Sequence, residues 1–404
     1  MRVLQLHTRY REAGGEDRVV AAEADLLRSA GHLVEQVVAD NPVSPLAAAA
    51  ALLKAPRNPA SRRAVERAVA RFEPDVAHVH NTWYALSPSV LDGLRASRVP
   101  TVMTVHNYRL MCVNGMLLRD GGPCEDCVGR SPLPGIRHRC YRNSAIASTA
   151  AAATIAYNRR RKTWADGVHL YLAPTEFVRG RLVDGGFPAD RVQVKPHFVE
   201  DPGPRPAPPS ESQTVLHVGR LSADKGGHAL LDAWAALGTT DLELVCIGDG
   251  PLRDELSRRR VPGVRFVGSV SAQEVRSWML GARVLVAPSA WYETFGLVVA
   301  EAMAAGLPVI VPSGGALAEV AAGGAAVEPE NVDTAGSAGD QLTTSLLRAR
   351  DDGIVDFAGA CGRARFSAHY TTTVGLTRLV ETYRSVIRSA ADVDTSFGAG
   401  RAHR

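Results

Sequence analysis

Glu293 and Glu301 bracket the run Thr-Phe-Gly-Leu-Val-Val-Ala, which reads as a loop passing into a helix near Gly296–Leu297. The first turn of such a helix has N–H groups without helical partners and the positive end of the helix dipole, a combination suited to a pyrophosphate. Glycine at 296 lets the backbone approach a ligand closely, because it has no Cβ. Glu293, in the loop, is placed to accept hydrogen bonds from sugar hydroxyls. Glu301, more than a turn into the helix, is placed to accept from the two vicinal hydroxyls of a ribose. Taken singly, the same two residues would read as a loop carboxylate and a helix carboxylate facing water.

Two cations change that balance. Arg220 and Lys225 lie in Val218-Gly-Arg-Leu-Ser-Ala-Asp-Lys-Gly-Gly, directly after an apolar strand pattern. Open α/β sheets bind ligands at the carboxyl ends of their strands. There, two cations can hold both phosphates of a diphosphate and stabilise the charge that develops as a sugar leaves it. In the first half of the chain, Gly14-Gly15-Glu16-Asp17 follows the first strand pattern and opens a helix, although Gly-Gly is often only a turn. His106-Asn107 ends a later strand, where a histidine is better placed for chemistry than on a core face. His80-Asn81-Thr82-Trp83 ends an earlier one, and Asn107 and Trp83 are candidates for the acceptor side.

A long loop after His106 holds Cys112, Cys124, Cys127 and Cys140. Cys124-Glu-Asp-Cys127 has the short spacing that lets two thiolates grip one ion, so a structural zinc is one reading. Disulfides and reduced thiols are the other two, disulfides being disfavoured in a reducing compartment. His138 is a substitute ligand, while Cys246 and Cys361 read as packing residues. Asn158-Arg-Arg-Arg-Lys-Thr-Trp164 is a basic run. It is either a solvated helix face or a patch for anionic lipid.

The elements that must position these residues alternate. Strand patterns at Val3–His7, Leu33–Val38, Asp75–His80, Thr101–His106, Leu170–Ala173 and Val192–Lys195 interleave with helical stretches at Asp17–Gly31, Pro88–Arg98, Ser144–Ala165 and Glu176–Asp184. Apolar strands alternating with helices predict a parallel sheet covered on both faces. Asp-Pro-Gly-Pro-Arg-Pro-Ala-Pro-Pro-Ser, residues 201–210, cannot be helix or central strand and reads as linker or surface loop. The alternation then restarts, with strands at Thr214–Val218, Leu242–Ile247, Val264–Val267, Arg283–Ala287 and Leu307–Val311. The expected organisation is residues 1–197 as a first Rossmann-like domain carrying the Cys-rich loop, 198–373 as a second, 374–391 as a final helix and 392–404 as a disordered tail.

The chain has 404 residues, 46% apolar and 22% charged, with a net charge of +4. That length suits two or three domains. The mild charge argues against nucleic acid as the main partner. The N-terminal apolar stretch is too short for a signal peptide, and no run approaches the ~20 apolar residues that span a bilayer, so a soluble, cytoplasmic chain is expected. A nicotinamide oxidoreductase is disfavoured, because no Gly-x-Gly-x-x-Gly occurs.

Arg220-x4-Lys225 followed by Glu293-x7-Glu301 and then Gly-Leu-Pro-Val resembles the large group of retaining glycosyltransferases of the GT-B fold, glycosyl transferases group 1 and family 4-like. The resemblance covers nearly the whole chain. It implies an α/β fold of two doubly wound Rossmann-like domains facing each other across a cleft, with the C-terminal helix crossing back to the first domain. It implies that Arg220 and Lys225 bind the donor diphosphate, that Glu293 contacts the transferred sugar and that Glu301 contacts the ribose. Phe295, Gly296 and Leu297 would offer backbone amides, Gly15 would lie beside the pyrophosphate, and His106 would contact the transferred sugar or orient the reacting groups. No metal is implied for the chemistry.

The implied reaction moves a sugar from a UDP- or GDP-linked donor to a glycan, lipid-linked or small-molecule acceptor with retention. Peripheral contact with the inner face of an anionic membrane is one implied location. The sequence departs from the group at Lys195-Pro-His-Phe, where Asn-Gly is often found, and at Asn107, which cannot act as the carboxylate often found there. A sugar-nucleotide epimerase or glycan phosphorylase of the same fold, and a non-catalytic nucleotide-sugar-binding protein, are the alternatives.

Overall fold

The computed structural model describes residues 1–10, 14–238, 240–328 and 338–399. It divides into two compact units, residues 1–117, 125–195 and 376–404 in the first, and 118–124 and 196–375 in the second.

The first unit is built on six parallel strands, β1 (Arg2–Arg9), β2 (Leu33–Asp40), β3 (Val76–Asn81), β4 (Thr101–Thr104), β7 (Leu170–Ala173) and β8 (Val192–Val194), in the order β2-β1-β3-β4-β7-β8. A small antiparallel hairpin, β5 (Leu118–Arg119) and β6 (Gly122–Pro123), belongs to the loop after His106. Every residue of β3 is buried, as expected of a strand with helices on both faces. Val3 pairs across with Val34 and Val76, which fixes the register of the centre. The helix Thr372–Ala399 returns to this unit. Its Leu379, Tyr383 and Val386 close the apolar layer made by Val3, Leu27, Val76, Val102 and Leu172.

The second unit has five parallel strands, β9 (Thr214–Val218), β10 (Glu243–Ile247), β11 (Val264–Gly268), β12 (Val284–Val286) and β13 (Val309–Ile310), in the order β11-β10-β9-β12-β13. Leu216 at the centre faces Val245 on one side and Leu285 on the other. The helix Leu297–Ala304 packs Val299, Ala300, Ala302 and Met303 into the same core. Small residues there let helix and sheet approach closely.

Several boundaries differ from the sequence pattern. The strand expected over Thr101–His106 stops at Thr104, so His106 lies beyond the ladder. The helix expected over Ser144–Ala165 ends at Arg160 and a short one restarts at Thr163, with Lys162 left-handed at φ 54°. This turn directs Trp164, 5% exposed, into the core. The Pro-rich stretch is a fastened surface loop of the second unit. Arg205 donates to the carbonyls of Ala207 at 2.7 Å and Ala282 at 2.7 Å, and Pro209 is buried. Helices Pro59–Phe72 and Asp352–His369 escape the periodicity reading. Both carry a legible start, since Asn58 and Asp351 accept from backbone N–H groups of their first turns. The final helix runs to Ala399, past the expected end at 391, and residues 400–404 lie outside the described residues. Among the described residues, no helix is long and apolar enough to cross a membrane.

Candidate active site

In the second unit the site grows from the carboxyl ends of β9 and β12. The loop after β9 carries Arg220, exposed, and Lys225. Gly226, at φ 73°, closes that loop where a Cβ would lie 2.0 Å from the Pro288 carbonyl oxygen. The Ala290 N–H donates to the Asp224 carbonyl at 2.8 Å. These two contacts hold the loops after β9 and β12 back to back. As a result Lys225 Nζ donates to Glu293 Oε1, which also accepts from Ser289 Oγ at 2.9 Å. The ammonium also lies 5.4 Å from the Trp291 ring centre. The Lys225 side chain is 27% exposed and that of Glu293 13%, so a ligand can reach the pair.

Gly296 sits at φ 84° with Leu317 Cδ2 2.2 Å from where a Cβ would stand, so only glycine makes this entry into the helix. Leu297 opens the helix and Glu301, half-buried, lies on its second turn. The Phe295 ring is core, stacked edge-on to His197 at 5.1 Å and Tyr370 at 5.5 Å. Only its backbone remains for a ligand. His217 on β9 is buried and donates through Nδ1 to the Val286 carbonyl at 3.0 Å, and burial pushes its pKa down.

The first unit holds a second polar cluster at its strand ends, and most of its members escape the sequence reading. His106, 9% exposed, pairs with His80 through Nε2 and Nδ1 at 3.0 Å, the rings stacked at 5.3 Å. His80 Nε2 is 3.8 Å from Glu23 Oε2, and Lys195 Nζ donates to Glu23 Oε1. His78 meets Tyr383 Oη at 2.7 Å and Thr104 Oγ1 at 2.8 Å. Burial lowers the His78 pKa to about 4 and drives that of His80 well down, so both rings are neutral near neutral pH. The Lys195 departure noted in the sequence thus supplies a buried counter-charge.

Nearby, Gly14 and Gly15 lead into the helix Gly15–Ser29, and Asp17 accepts from the Gly14 N–H at 2.9 Å and from His7 Nε2 at 2.8 Å. Gly15 itself is exposed. Glu16 accepts from Asn107 Nδ2 at 3.3 Å. Burial, then the Asp17 charge, raises its pKa to about 8. Asn107 also meets Tyr10 Oη at 3.0 Å and accepts from the Arg109 N–H at 3.0 Å, so its side chain serves as a brace.

Trp83 is 5% exposed and packs against Arg109 at 4.8 Å and Tyr141 at 5.6 Å. With His80, His106, Asn107 and Arg109 it lines a small cavity of about 30 Å³, room for a water. Its ring is part of the apolar cluster with Tyr84, Val113 and Ile155.

The loop sulfurs do not gather. Among the described residues, the only three metal-ligating side chains converging within 4.8 Å are Glu23, His78 and His80, so no three of Cys112, Cys124, Cys127 and Cys140 do so. Cys112 instead donates to Asn114 Oδ1 at 2.9 Å. The Glu23 group is no better a cation site, because the Lys195 ammonium already occupies the carboxylate. In the basic run, Asn158 is buried and donates to the Pro56 carbonyl at 3.2 Å, while Arg160, Arg161 and Lys162 face solvent.

Comparison with known proteins agrees with both halves of this arrangement. Residues 2–201 match the profile of Glycosyltransferase Family 4 and residues 212–345 that of Glycosyl transferases group 1. A phosphatidyl-myo-inositol mannosyltransferase of Mycolicibacterium smegmatis is 28% identical over 99% of this chain and 93% of its own length. A GDP-mannose-dependent alpha-(1-6)-phosphatidylinositol dimannoside mannosyltransferase of Mycobacterium tuberculosis is 38% identical, over 26% of this chain and 29% of its own. Among solved structures, a sucrose-phosphate synthase of Thermosynechococcus elongatus superposes with a TM-score of 0.69 at 19% identity, covering 96% of this chain and 99% of that one. Anabaena HepE in complex with UDP and glucose gives 0.65 at 18% identity, covering 95% and 100%. Two parallel Rossmann-like sheets, these superpositions and the two profiles together show that the chain belongs to the glycosyltransferases of the GT-B fold, family 4 in its first half and group 1 in its second.

Proposed function

We propose that this glycosyltransferase moves a hexose from a nucleoside-diphosphate donor to a lipid-linked or other glycan acceptor, with retention at the anomeric carbon and without a metal in the chemical step. The observation that carries the reading is the Lys225–Glu293 pair beside the glycine-opened helix at Gly296. In the resting chain the two charges neutralise each other. A bound diphosphate draws the ammonium of Lys225, with Arg220 on the same loop, and leaves Glu293 to accept from a sugar hydroxyl. Glu301 reads the ribose, and the amides of Phe295, Gly296 and Leu297 face phosphate and sugar. The resemblance assigns His106, in the first unit, to the transferred sugar. Once the diphosphate is bound, these cations face the leaving group and stabilise its developing charge without further reorganisation, which is where most of the rate enhancement would come from.

GDP-mannose is the donor favoured by the names of the relatives, and UDP-glucose is the competitor favoured by HepE, solved with UDP and glucose. A lipid-linked acceptor is favoured by the phosphatidylinositol substrates named for the relatives. It also suits the exposed Leu46 and Leu53 of the helix Pro45–Lys54 and Ile146 of the helix Ala145–Arg160, two helices in contact, and the exposed Arg137, Arg139 and Arg142 that precede Ile146 in the sequence. Thermal unfolding with GDP or UDP tests the donor, since a ligand bound only by the folded chain raises the midpoint. Proton NMR of the first product then reads the anomer. An inverted product, or turnover abolished by a chelator, would remove the mechanism; no shift with any nucleoside diphosphate would remove the site.

A further inference from the structure

We infer that His80 is a positioning residue for the transfer reaction: it fixes the tautomer and plane of His106, and is itself oriented by the buried Glu23–Lys195 pair. The inference rests on the reading of His106 as the group that contacts the transferred sugar. The geometry is a chain of atoms. Lys195 Nζ donates to Glu23 Oε1, which keeps that carboxylate ionised in a buried place. The other oxygen, Oε2, lies 3.8 Å from His80 Nε2 and 3.5 Å from His78 Nδ1. The first distance is too long for a hydrogen bond, but it still sets the sign of what can face the carboxylate. A nitrogen lone pair turned toward an anion in a low-dielectric interior is repelled, and an N–H is attracted. His80 therefore carries its proton on Nε2.

The consequence passes to the next ring. A neutral imidazole with its proton on Nε2 has only a lone pair on Nδ1. His80 Nδ1 is 3.0 Å from His106 Nε2, so His106 must be the donor in that bond. In the neutral His106 ring the proton is then on Nε2, and Nδ1 is an acceptor, the form that takes a hydrogen bond from a sugar hydroxyl. The stacked approach of the two rings, 5.3 Å between centres and 26° between planes, holds the orientation as well as the proton. Four elements contribute, which is why no local motif announces the device. Glu23 comes from the first helix, His80 from β3, His106 from beyond β4, and Lys195 from beyond β8. His78 stands beside His80 at 4.0 Å between ring centres and is held by the hydroxyls of Tyr383 and Thr104. It keeps a second neutral ring against the first.

The test uses the full chain and the donor identified by the thermal screen. His80→Phe keeps a ring but removes both nitrogens, and His80→Asn restores a polar atom near the position of Nδ1. With the inference correct, His80→Phe lowers kcat about 10- to 100-fold, by analogy with the loss of a partner that orients a metal-bound imidazole. It leaves the nucleoside-diphosphate-induced thermal shift unchanged, and His80→Asn recovers part of kcat. In the wild-type chain, nitrogen-15 shifts of His106 show a protonated Nε2 and an unprotonated Nδ1; in Glu23→Gln they move toward a mixture of tautomers. His80→Phe with kcat within twofold of wild type, while His106→Ala is inactive, would overturn the positioning role and leave the reading of His106 intact. His106→Ala with wild-type kcat would overturn that reading and the inference together. A proton on His106 Nδ1 in the wild type would overturn the inference even if the His80 variants fail to fold.

Discussion

Each unit holds a lysine–glutamate pair at the carboxyl end of its sheet, and the two pairs are set in opposite surroundings. Lys225 and Glu293 are 27% and 13% exposed, whereas Lys195 and Glu23 are 1% and 0%. A pair near water can exchange one partner for a ligand at little cost, because solvent screens whatever charge is momentarily left over. A pair sealed from water cannot, since each ion lost its hydration on burial and only the other compensates it. The accessible pair suits binding and release of an anion. The sealed pair suits holding other groups still.

The largest effect is expected where the sealed pair is broken. Lys195→Met leaves Glu23 without its counter-ion and should cost about 3–5 kcal/mol in urea unfolding. Lys195→Met with Glu23→Leu should recover most of that loss. A double variant as unstable as the single one would break the comparison.

At the accessible pair the loss should fall on rate. Lys225→Ala and Glu293→Gln should each reduce transfer by about 100-fold or more, corresponding to ~2.7–4 kcal/mol in the transition state. Their unfolding midpoints should stay close to wild type, since such a pair contributes only about 0–1 kcal/mol to stability. Near-normal turnover in both folded variants would take the donor chemistry away from this pair.

Gly226→Ala sharpens the contrast by moving the accessible lysine without touching its charge. A Cβ there meets the Pro288 carbonyl at 2.0 Å and a φ of 73°, so a loss of about 1–3 kcal/mol in stability is expected. The donor-induced thermal shift should shrink with it. A wild-type shift would mean that the back-to-back loops do not set the position of Lys225.

The most gradual effect concerns Glu16, whose pKa is raised from 4.5 to about 8 by burial and by Asp17, with Asn107, Tyr10 and Arg109 opposing. The folded chain favours the neutral acid, so its contribution is fully present below pH 4.5 and is lost as pH rises toward 8. Wild type should therefore match Glu16→Gln near pH 4.5 and fall behind it above, by at most about 1.4 kcal/mol per pH unit. Parallel stability curves for the two chains across that window would show that Glu16 ionises normally.

The accessible pair was legible in the sequence because its surroundings are local. Lys225 and Gly226 adjoin, Glu293 stands three residues before Gly296, and the strand patterns before them mark both as strand-end loops. The sealed cluster was not, because it joins residues 23, 78, 80, 106, 195 and 383, and only packing brings such distant positions together. Its one local sign was His78-x-His80 on a strand, two polar side chains on the same face of a pattern otherwise apolar. Asn107 and Trp83 were found by position at strand ends, while only contacts reveal that Asn107 also braces Glu16 and the Arg109 N–H and that Trp83 packs against Arg109 and Tyr141. The cysteine spacing suggested a metal, and among the described residues no three of the four sulfurs converge, Cys112 bonding to Asn114 and Cys140 packing beside Trp83's apolar cluster.

The return of the helix Thr372–Ala399 to the first unit also bears on the order in which the chain can be made. Residues 1–195 complete all six strands of the first sheet, yet Leu379, Tyr383 and Val386, which cover Val3, Leu27 and Val76, are translated only after the whole second unit. At common synthesis rates that interval is roughly 10–40 s. For that time the nascent first unit presents an uncovered apolar face and a His78 lacking its Tyr383 partner. A chaperone that binds exposed apolar surface should therefore hold ribosome-bound chains stalled after residue 195 and release those stalled far enough past residue 386 for that segment to have left the ribosome.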